Sequence, residues 1–225
     1  MSYPIIECIS LSKYYKGRNQ ITKAVDNVNL HIIKNEFILI KGRSGAGKST
    51  LLNLMCGLDQ PTHGDVLIEN QYIDKLSNRA LSMLLLKEIG IVFQNFNLLP
   101  TYTVFENIEI ALDHTPNERA RIKEIIIPLL GQLGLEDKIN SLPSELSIGQ
   151  QQKVVIARTL AKNPSIIFAD EPTGSVDDET AAEIIQHLLL LKKGHNLTLV
   201  LASHGSTFDK YADRVVIMQN GEINY

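Results

Sequence analysis

The run Gly42-Arg43-Ser44-Gly45-Ala46-Gly47-Lys48-Ser49-Thr50 has the residue types and spacing to hold a phosphate chain. It fits G-x-x-x-x-G-K-[ST], whose glycines let the backbone close around a β-phosphate without Cβ clashes. Backbone N–H groups at the start of a following helix bring about half a positive charge to the anion. In such a loop Lys48 bridges the β- and γ-phosphates and the Ser49 hydroxyl holds Mg²⁺. The flanks suit it. Phe37-Ile38-Leu39-Ile40 is an apolar run fit for a buried strand, and Leu51-Leu52-Asn53-Leu54-Met55 is helix-compatible. The expected ligand is a nucleoside triphosphate.

A second chemical element is Ser165-Ile166-Ile167-Phe168-Ala169-Asp170-Glu171. An apolar strand ending in adjacent carboxylates places them at the carboxyl edge of a sheet, where α/β proteins bind ligands. Asp170 is suited to hold Mg²⁺ through oxygen. Glu171 is suited to polarise or deprotonate a water attacking the γ-phosphorus. A third element is Leu146-Ser147-Ile148-Gly149-Gln150. Ser147 and Gln150 form an S-x-x-Q capping box, contributing about 1 kcal/mol to the following helix. A capped helix start beside Gly149 is also an anion site. It can reach phosphates held by the 42–50 loop only if the chain folds back or a second copy supplies it.

Short β-branched runs predict strands over 5–9, 28–33, 37–41, 66–69, 90–93, 165–169, 198–202 and 215–219. Helical patterns cover 48–57, 79–87, 104–112, 118–133, 149–161, 180–192 and 207–212. The fully apolar runs suit central strands of a parallel sheet, and the mixed N-terminal ones an antiparallel layer. Pro128 should kink or end its helix near Ile127. From about residue 95 to residue 162 no strand is expected. The fold class is therefore α/β: a core of residues 1–94 and 163–225 with an antiparallel N-terminal part, interrupted by a helical insertion over approximately 95–162.

Composition fits a single domain of 225 residues with 44% hydrophobic content. Lys plus Arg number 22 against 25 Asp plus Glu, a net charge of −3, so no basic excess points to nucleic acid. Cys8 and Cys56 lack metal-site spacing and read as buried small apolar residues in a reducing compartment. Met1-Ser2-Tyr3-Pro4 shows no secretory leader, and no further domain is expected after Gly221. No apolar stretch approaches the ~20 residues of a membrane helix, so any spanning part must come from another chain.

The 42–50 loop, the 146–150 string and the Asp170-Glu171 pair, in this order, resemble the ATP-binding cassette (ABC) ATPases, and the resemblance covers essentially the whole chain. That family implies a P-loop core, an N-terminal antiparallel β subdomain and an inserted helical subdomain. Gln94 resembles the family's Q-loop glutamine, a ligand of Mg²⁺ and sensor of the water. Ser175-Val176-Asp177 resembles its D-loop, and His204 its switch histidine. Tyr15 resembles the aromatic that stacks on adenine, with Tyr14 as the alternative. Phe93-Gln94-Asn95-Phe96-Asn97-Leu98-Leu99-Pro100 with Thr103-Val104-Phe105-Glu106-Asn107-Ile108 is similar to cassettes of lipoprotein-release, macrolide-export and antimicrobial-peptide-resistance systems, as is Ala169-Asp170-Glu171-Pro172-Thr173-Gly174. The resemblance implies ATP and Mg²⁺ as ligands and a head-to-tail homodimer in which Ser147, Gly149 and Gln150 of one copy meet the nucleotide of the other. It also implies an integral membrane permease as partner, and a cytoplasmic location peripheral to the inner face of the membrane.

Three positions depart from the family pattern: Ile148 replaces the first glycine of LSGGQ, Lys153 a common arginine, and Gly205 a common aspartate. If position 148 requires positive φ, isoleucine is a severe misfit; if φ is negative it merely adds bulk at the dimer surface. Transport competes with a mechanical or regulatory role at the membrane, as in cell-division cassettes. Soluble cassettes of translation or DNA repair usually carry two copies or a coiled-coil insertion, and this sequence has neither. Composition does not identify a cargo.

Overall fold

The computed structural model describes residues 4–18, 20–112, 119–174, 176, 178–195 and 197–224. In chain order its elements are β1 (Pro4–Lys16), β2 (Ile21–Ile33), β3 (Phe37–Lys41), α1 (Lys48–Met55), β4 (His63–Ile68), β5 (Gln71–Tyr72), α2 (Asn78–Lys87), β6 (Ile89–Val92), α3 (Val104–Glu109), α4 (Arg119–Gln132), α5 (Ile148–Leu160), β7 (Ile166–Asp170), α6 (Asp178–His195), β8 (Thr198–Ser203), β9 (Arg214–Gln219) and β10 (Glu222–Asn224). One sheet has the order β2-β1-β4-β5 and is antiparallel throughout. The other has the order β10-β9-β3-β8-β7-β6, parallel except for the β9–β10 edge hairpin.

Alternation within the apolar runs divides the core. Ile38, Ile40, Phe168, Val200 and Ala202 face α1 and the antiparallel sheet, where Cys8 and Cys56 also lie. Phe37, Leu39, Ile167, Leu199 and Leu201 face the other way, onto Val155 and Ile156 of α5 and Ile184, Ile185 and Leu188 of α6. A residue period of two makes this split automatic, because successive Cβ atoms leave opposite faces of a strand. Burial pushes both thiols up to about 12.

Between β6 and β7 the described residues form only helices and turns. Val104 and Ile108 of α3, Ile122, Ile126 and Leu130 of α4, and Val154 and Ala157 of α5 share a separate apolar cluster. Helix α5 thus packs on the large sheet with one face and on α3 and α4 with another.

Several expectations need correction. Helix α4 does not end near Ile127 but runs through Pro128 to Gln132. Proline costs a helix interior about 3 kcal/mol, yet Leu129, Leu130 and Leu133 are buried beyond it at roughly 1.5–3 kcal/mol each. Packing outweighs the lost hydrogen bond. The helix expected over 207–212 is only a short 3₁₀ turn at Asp209–Tyr211, because Ala212 is already extended at φ −74 and leads into β9. Strand β1 is far longer than its expected 5–9, with a register shift between Cys8 and Leu11 where Ser10 takes φ 46. The bulge breaks the alternation that a sequence pattern depends on. Strands β5 and β10 are too short to leave a pattern.

Candidate nucleotide-binding site

The loop between β3 and α1 opens into a cleft of about 960 Å³ lined by Gly42, Arg43, Ser44, Gly45, Gly47, Lys48, Ser49 and Thr50. Ala46 packs inward, and its carbonyl accepts the Gly221 N–H at 3.1 Å. Gly47 is the N-cap of α1 at φ 105, and no side chain caps the helix. A Cβ on Gly47 would lie 1.9 Å from the Ala24 carbonyl oxygen, and one on Gly42 2.3 Å from that of Met218. Strands β2 and β9 therefore clamp the loop, and only glycine fits. The uncapped N–H groups of α1 are left to a ligand, which favours an anion.

Lys48 Nζ donates to the carbonyls of Gly42 at 2.9 Å and Arg43 at 3.3 Å. It also lies 3.3 Å from Glu171 Oε1, with only 7% of the lysine side chain exposed. Glu171 Oε2 meets Nδ1 of His204 at 2.9 Å. Glu171 stands at φ 46, a left-handed conformation that costs a non-glycine residue roughly 1–3 kcal/mol. Its N–H donates to the Ala202 carbonyl at 2.9 Å, which ties this kink to the end of β8. Lys48, Glu171 and His204, drawn from three separate parts of the chain, form one chain of contacts on the cleft wall, and Gln94 lines the same cleft.

The residues present fit a Mg²⁺ ion. Asp170 Oδ1 is buried without a hydrogen-bond partner. Burial pushes the Asp170 carboxyl above its ordinary range; neighbouring Glu171 adds to that push, while the Ser49 hydroxyl and Lys48 oppose it. An orphaned carboxylate oxygen beside a hydroxyl is a donor set for a hard cation. Among the described residues no group of three or more His, Cys, Asp or Glu side chains gathers as a metal cage. That suits a cation that keeps waters and takes substrate oxygens.

The two candidate tyrosines are held differently. The Tyr14 hydroxyl donates to Asp26 Oδ1 at 2.5 Å, its ring lies beneath Lys23 Nζ, and His63 packs edge-on to it at 5.9 Å. Tyr15 is 45% exposed, and its hydroxyl bonds Asp59 Oδ2 at 3.0 Å and lies beside Thr50 of the phosphate loop. Lys13 Nζ lies over the Tyr15 ring at 5.3 Å, as Lys23 does over Tyr14, and neither ring lines the cleft; Tyr15 is the more exposed of the two and stands beside the loop. Sequence reading missed Thr22, Lys23 and Ala24 of β2 and Ile217 and Asn220 around β9, which all line the cleft. They enter through sheet register and backbone position, for which no motif exists.

Ser147, Gly149 and Gln150 lie outside this cleft lining. Ser147 Oγ accepts the Gln150 N–H at 3.2 Å and Gln150 Oε1 accepts the Ser147 N–H at 2.9 Å, completing the capping box of α5. Ile148 is the first helical residue, 53% exposed and without positive φ. Of the two conformations open to it, the unstrained one is found. A Cβ on Gly149 would approach Thr180 Cγ2 to 2.6 Å, so glycine here also lets α5 pack against α6. Arg158, near the other end of α5, donates to the carbonyls of Asn97 at 2.7 Å and Phe96 at 2.9 Å. It thereby fastens the segment after Gln94 to the helix that carries Ser147. Asp177 and Ser175 lie outside the described residues.

Comparison with known proteins points the same way. The family model described as "ABC transporter" matches residues 25–174. An uncharacterized ABC transporter ATP-binding protein of Methanocaldococcus jannaschii, MJ0796, is 39% identical, covering 97% of this chain and 95% of that protein. The macrolide export ATP-binding/permease protein MacB of Pasteurella multocida is 40% identical over 99% of this chain, which corresponds to 34% of MacB. The solved dimer of MJ0796 in a post-hydrolysis state, bound to ADP and Pi, superposes with a TM-score of 0.91 at 37% identity, covering 98% of this chain and 97% of that one. With a clamped phosphate loop, an acidic strand end and a backbone shared with these cassettes, the chain belongs to the ABC transporter family as one of its ATP-binding members.

Proposed function

We propose that this chain hydrolyses Mg-ATP in a head-to-tail homodimer and that the cycle energises a separate membrane permease from the cytoplasmic face. The observation that carries the reading is a division of labour within one chain. Lys48, Glu171, His204 and Gln94 converge on a cleft, whereas the Ser147 helix tip lies outside it. A second copy, turned head to tail, would bring its Ser147, Gly149 and Gln150 to the γ-phosphate, with Asp177 at the contact. The dimeric state of the solved MJ0796 cassette supports this arrangement.

In the proposed reaction Tyr15 stacks on the adenine, and Lys48 neutralises the β- and γ-phosphates from within the 42–50 loop. Mg²⁺, held by Ser49, Asp170 and Gln94, would offset charge on the phosphate oxygens. Glu171 takes the proton of the attacking water as its oxygen bonds to the γ-phosphorus and the bridging bond to ADP breaks. His204, in contact with Glu171, orients that carboxylate and the terminal phosphate. Residues 1–94 and 163–225 act as the catalytic core, and the helical part over approximately 95–162 conveys closure to the permease. Among the described residues no helix is long and apolar enough to cross a membrane, so a partner chain supplies the span.

Glu171→Gln tests the reading directly. Removing the water-activating carboxylate should trap an ATP-loaded dimer, seen by gel filtration with ATP and Mg²⁺. A variant that stays monomeric, or that turns over ATP at the wild-type rate, removes Glu171 from this role. Co-purification with a membrane chain and transport in vesicles then separates transport from a regulatory role.

A further inference from the structure

We propose that Lys41 and Asp209 act as a positioning pair for His204; the proposal rests on the reading in which His204 works at the terminal phosphate. The segment bearing His204 leaves β8 at Ser203 and rejoins the fold at Asp209. Backbone fixes its first end, since the Gly42 N–H donates to the Ser203 carbonyl at 3.3 Å. Charge fixes its second end, since Lys41 Nζ lies 2.5 Å from Asp209 Oδ2. Both anchors therefore sit on consecutive residues at the tip of β3, where the phosphate loop begins. Lys41 is also register-paired with Ser203 and lines the cleft.

Nothing else among the described residues holds the Asp209 carboxylate, whose Oδ1 is buried without a hydrogen-bond partner. Phe208 buries its ring in the α5–α6 side of the core. That fixes the height of the segment above the sheet, whereas the ion pair fixes its place along the β3 edge. Between the anchors stands Gly205, which has no positive φ, and a Cβ there would meet nothing nearer than 3.8 Å. Sterics do not demand glycine at this position, so its contribution is backbone freedom. Hydrogen bonds from the Gly205 N–H to Ser203 Oγ at 3.2 Å and from the His204 N–H to Glu171 Oε2 at 3.4 Å hold the first half of the segment, so a tether at its far end is what remains to keep Nδ1 at 2.9 Å from Glu171. The Lys41–Asp209 pair supplies it, and couples His204 to the strand that presents the phosphate loop.

The test is steady-state ATPase kinetics of Asp209→Asn, Lys41→Met and the double variant. Small displacements of a reacting group are costly, so kcat should fall roughly 10-fold while KM for ATP stays within about 2-fold. The double variant should be no slower than the slower single one, as for two halves of one interaction. Lys41→Arg should keep turnover, and Gly205→Ala added to Asp209→Asn should recover much of the loss. Thermal melts and fluorescent-nucleotide titration establish that each variant is folded and binds. Additive losses, or unchanged kcat in Asp209→Asn, overturn the pair. So does a rise in KM alone in Lys41→Met, which would put Lys41 on the substrate itself. His204→Ala is measured alongside: if it leaves kcat intact, the underlying role of His204 fails; if it abolishes turnover while Asp209→Asn does not slow it, only the tether fails.

Discussion

The phosphate loop and the Ser147 tip are both helix starts, yet α1 is left without a side-chain cap inside a cleft and α5 carries a complete capping box on the surface. The first is over-determined by its surroundings, with β2 and β9 so close that a methyl group cannot be added at Gly47. Among the described residues no side chain caps its N–H groups, which leaves them to a ligand. The second has its capping box closed by its own side chains, Ser147 and Gln150. Its folding needs no phosphate, and any contact with one must come from outside the chain. An incomplete end is specified by steric fit and a complete end by what docks on it, so the two should fail differently when altered.

The largest effect is expected at the incomplete end. Gly47→Ala places a methyl group against the Ala24 carbonyl and should reduce nucleotide affinity by more than about 100-fold in a fluorescent-nucleotide titration, while Gly45→Ala, with open space around it, should cost far less. Equal losses at the two glycines would show that steric clamping is not what matters. Ser147→Asp probes the complete end. Aspartate caps a helix as well as serine, so the melting temperature should hold within roughly 2 °C. Its added charge would face a partner's phosphate, so ATP-driven dimerisation of the Glu171→Gln protein should vanish while monomer binding persists. Persistence of the dimer would place the tip elsewhere.

Asp170→Asn sharpens the contrast in a third way. Burial raises the Asp170 carboxyl above the ordinary carboxylate range. A raised group contributes stability that is present below its unfolded value, near 4, and lost as pH rises through the folded one. Where that carboxyl is ionised, its unpaired oxygen therefore weakens the nucleotide-free fold. The asparagine variant should melt higher without nucleotide and lose Mg²⁺-dependent stabilisation by ATP. In the natural chain that Mg²⁺-dependent gain should fade as pH drops into the carboxylate range. A melting temperature that falls in Asp170→Asn would mean the carboxylate is structurally satisfied. The smallest effect belongs to Ile148→Gly. Backbone conformation is already unstrained there, so ATP binding should not change, and dimer affinity should rise less than about 10-fold as exposed bulk is removed. Analytical ultracentrifugation with and without ATP decides it.

Much of the incomplete end was legible in the sequence because its constraints are local. Residues 37–40 form one short, fully apolar run, the glycines follow at fixed spacing, and β3 is found at Phe37–Lys41 as expected. Asp170 and Glu171 were legible for the same reason, as the charged end of an apolar run. What was not legible depends on residues far apart in sequence. Ala24 and Met218 set the walls of the loop by sheet register, Arg158 reaches back to the Gln94 segment, and Lys41 reaches forward to Asp209. That α4 continues past Pro128 was not legible, because a local penalty is readable from one residue, whereas the burial of Leu129, Leu130 and Leu133 that outweighs it depends on partners in α3 and α5. The capping box of α5 was readable, but not the exclusion of its tip from the cleft.

The two buried thiols have a practical corollary. Cys8 and Cys56 are the chain's complete cysteine complement, and neither forms appreciable thiolate near neutral pH. Buried in this way, both thiols should react slowly with maleimides and thiosulfonates. A single Ser147→Cys or Ser44→Cys change would introduce the reactive sulfur, and spin labels, fluorophores or short bifunctional linkers could report the approach of two copies without prior cysteine removal.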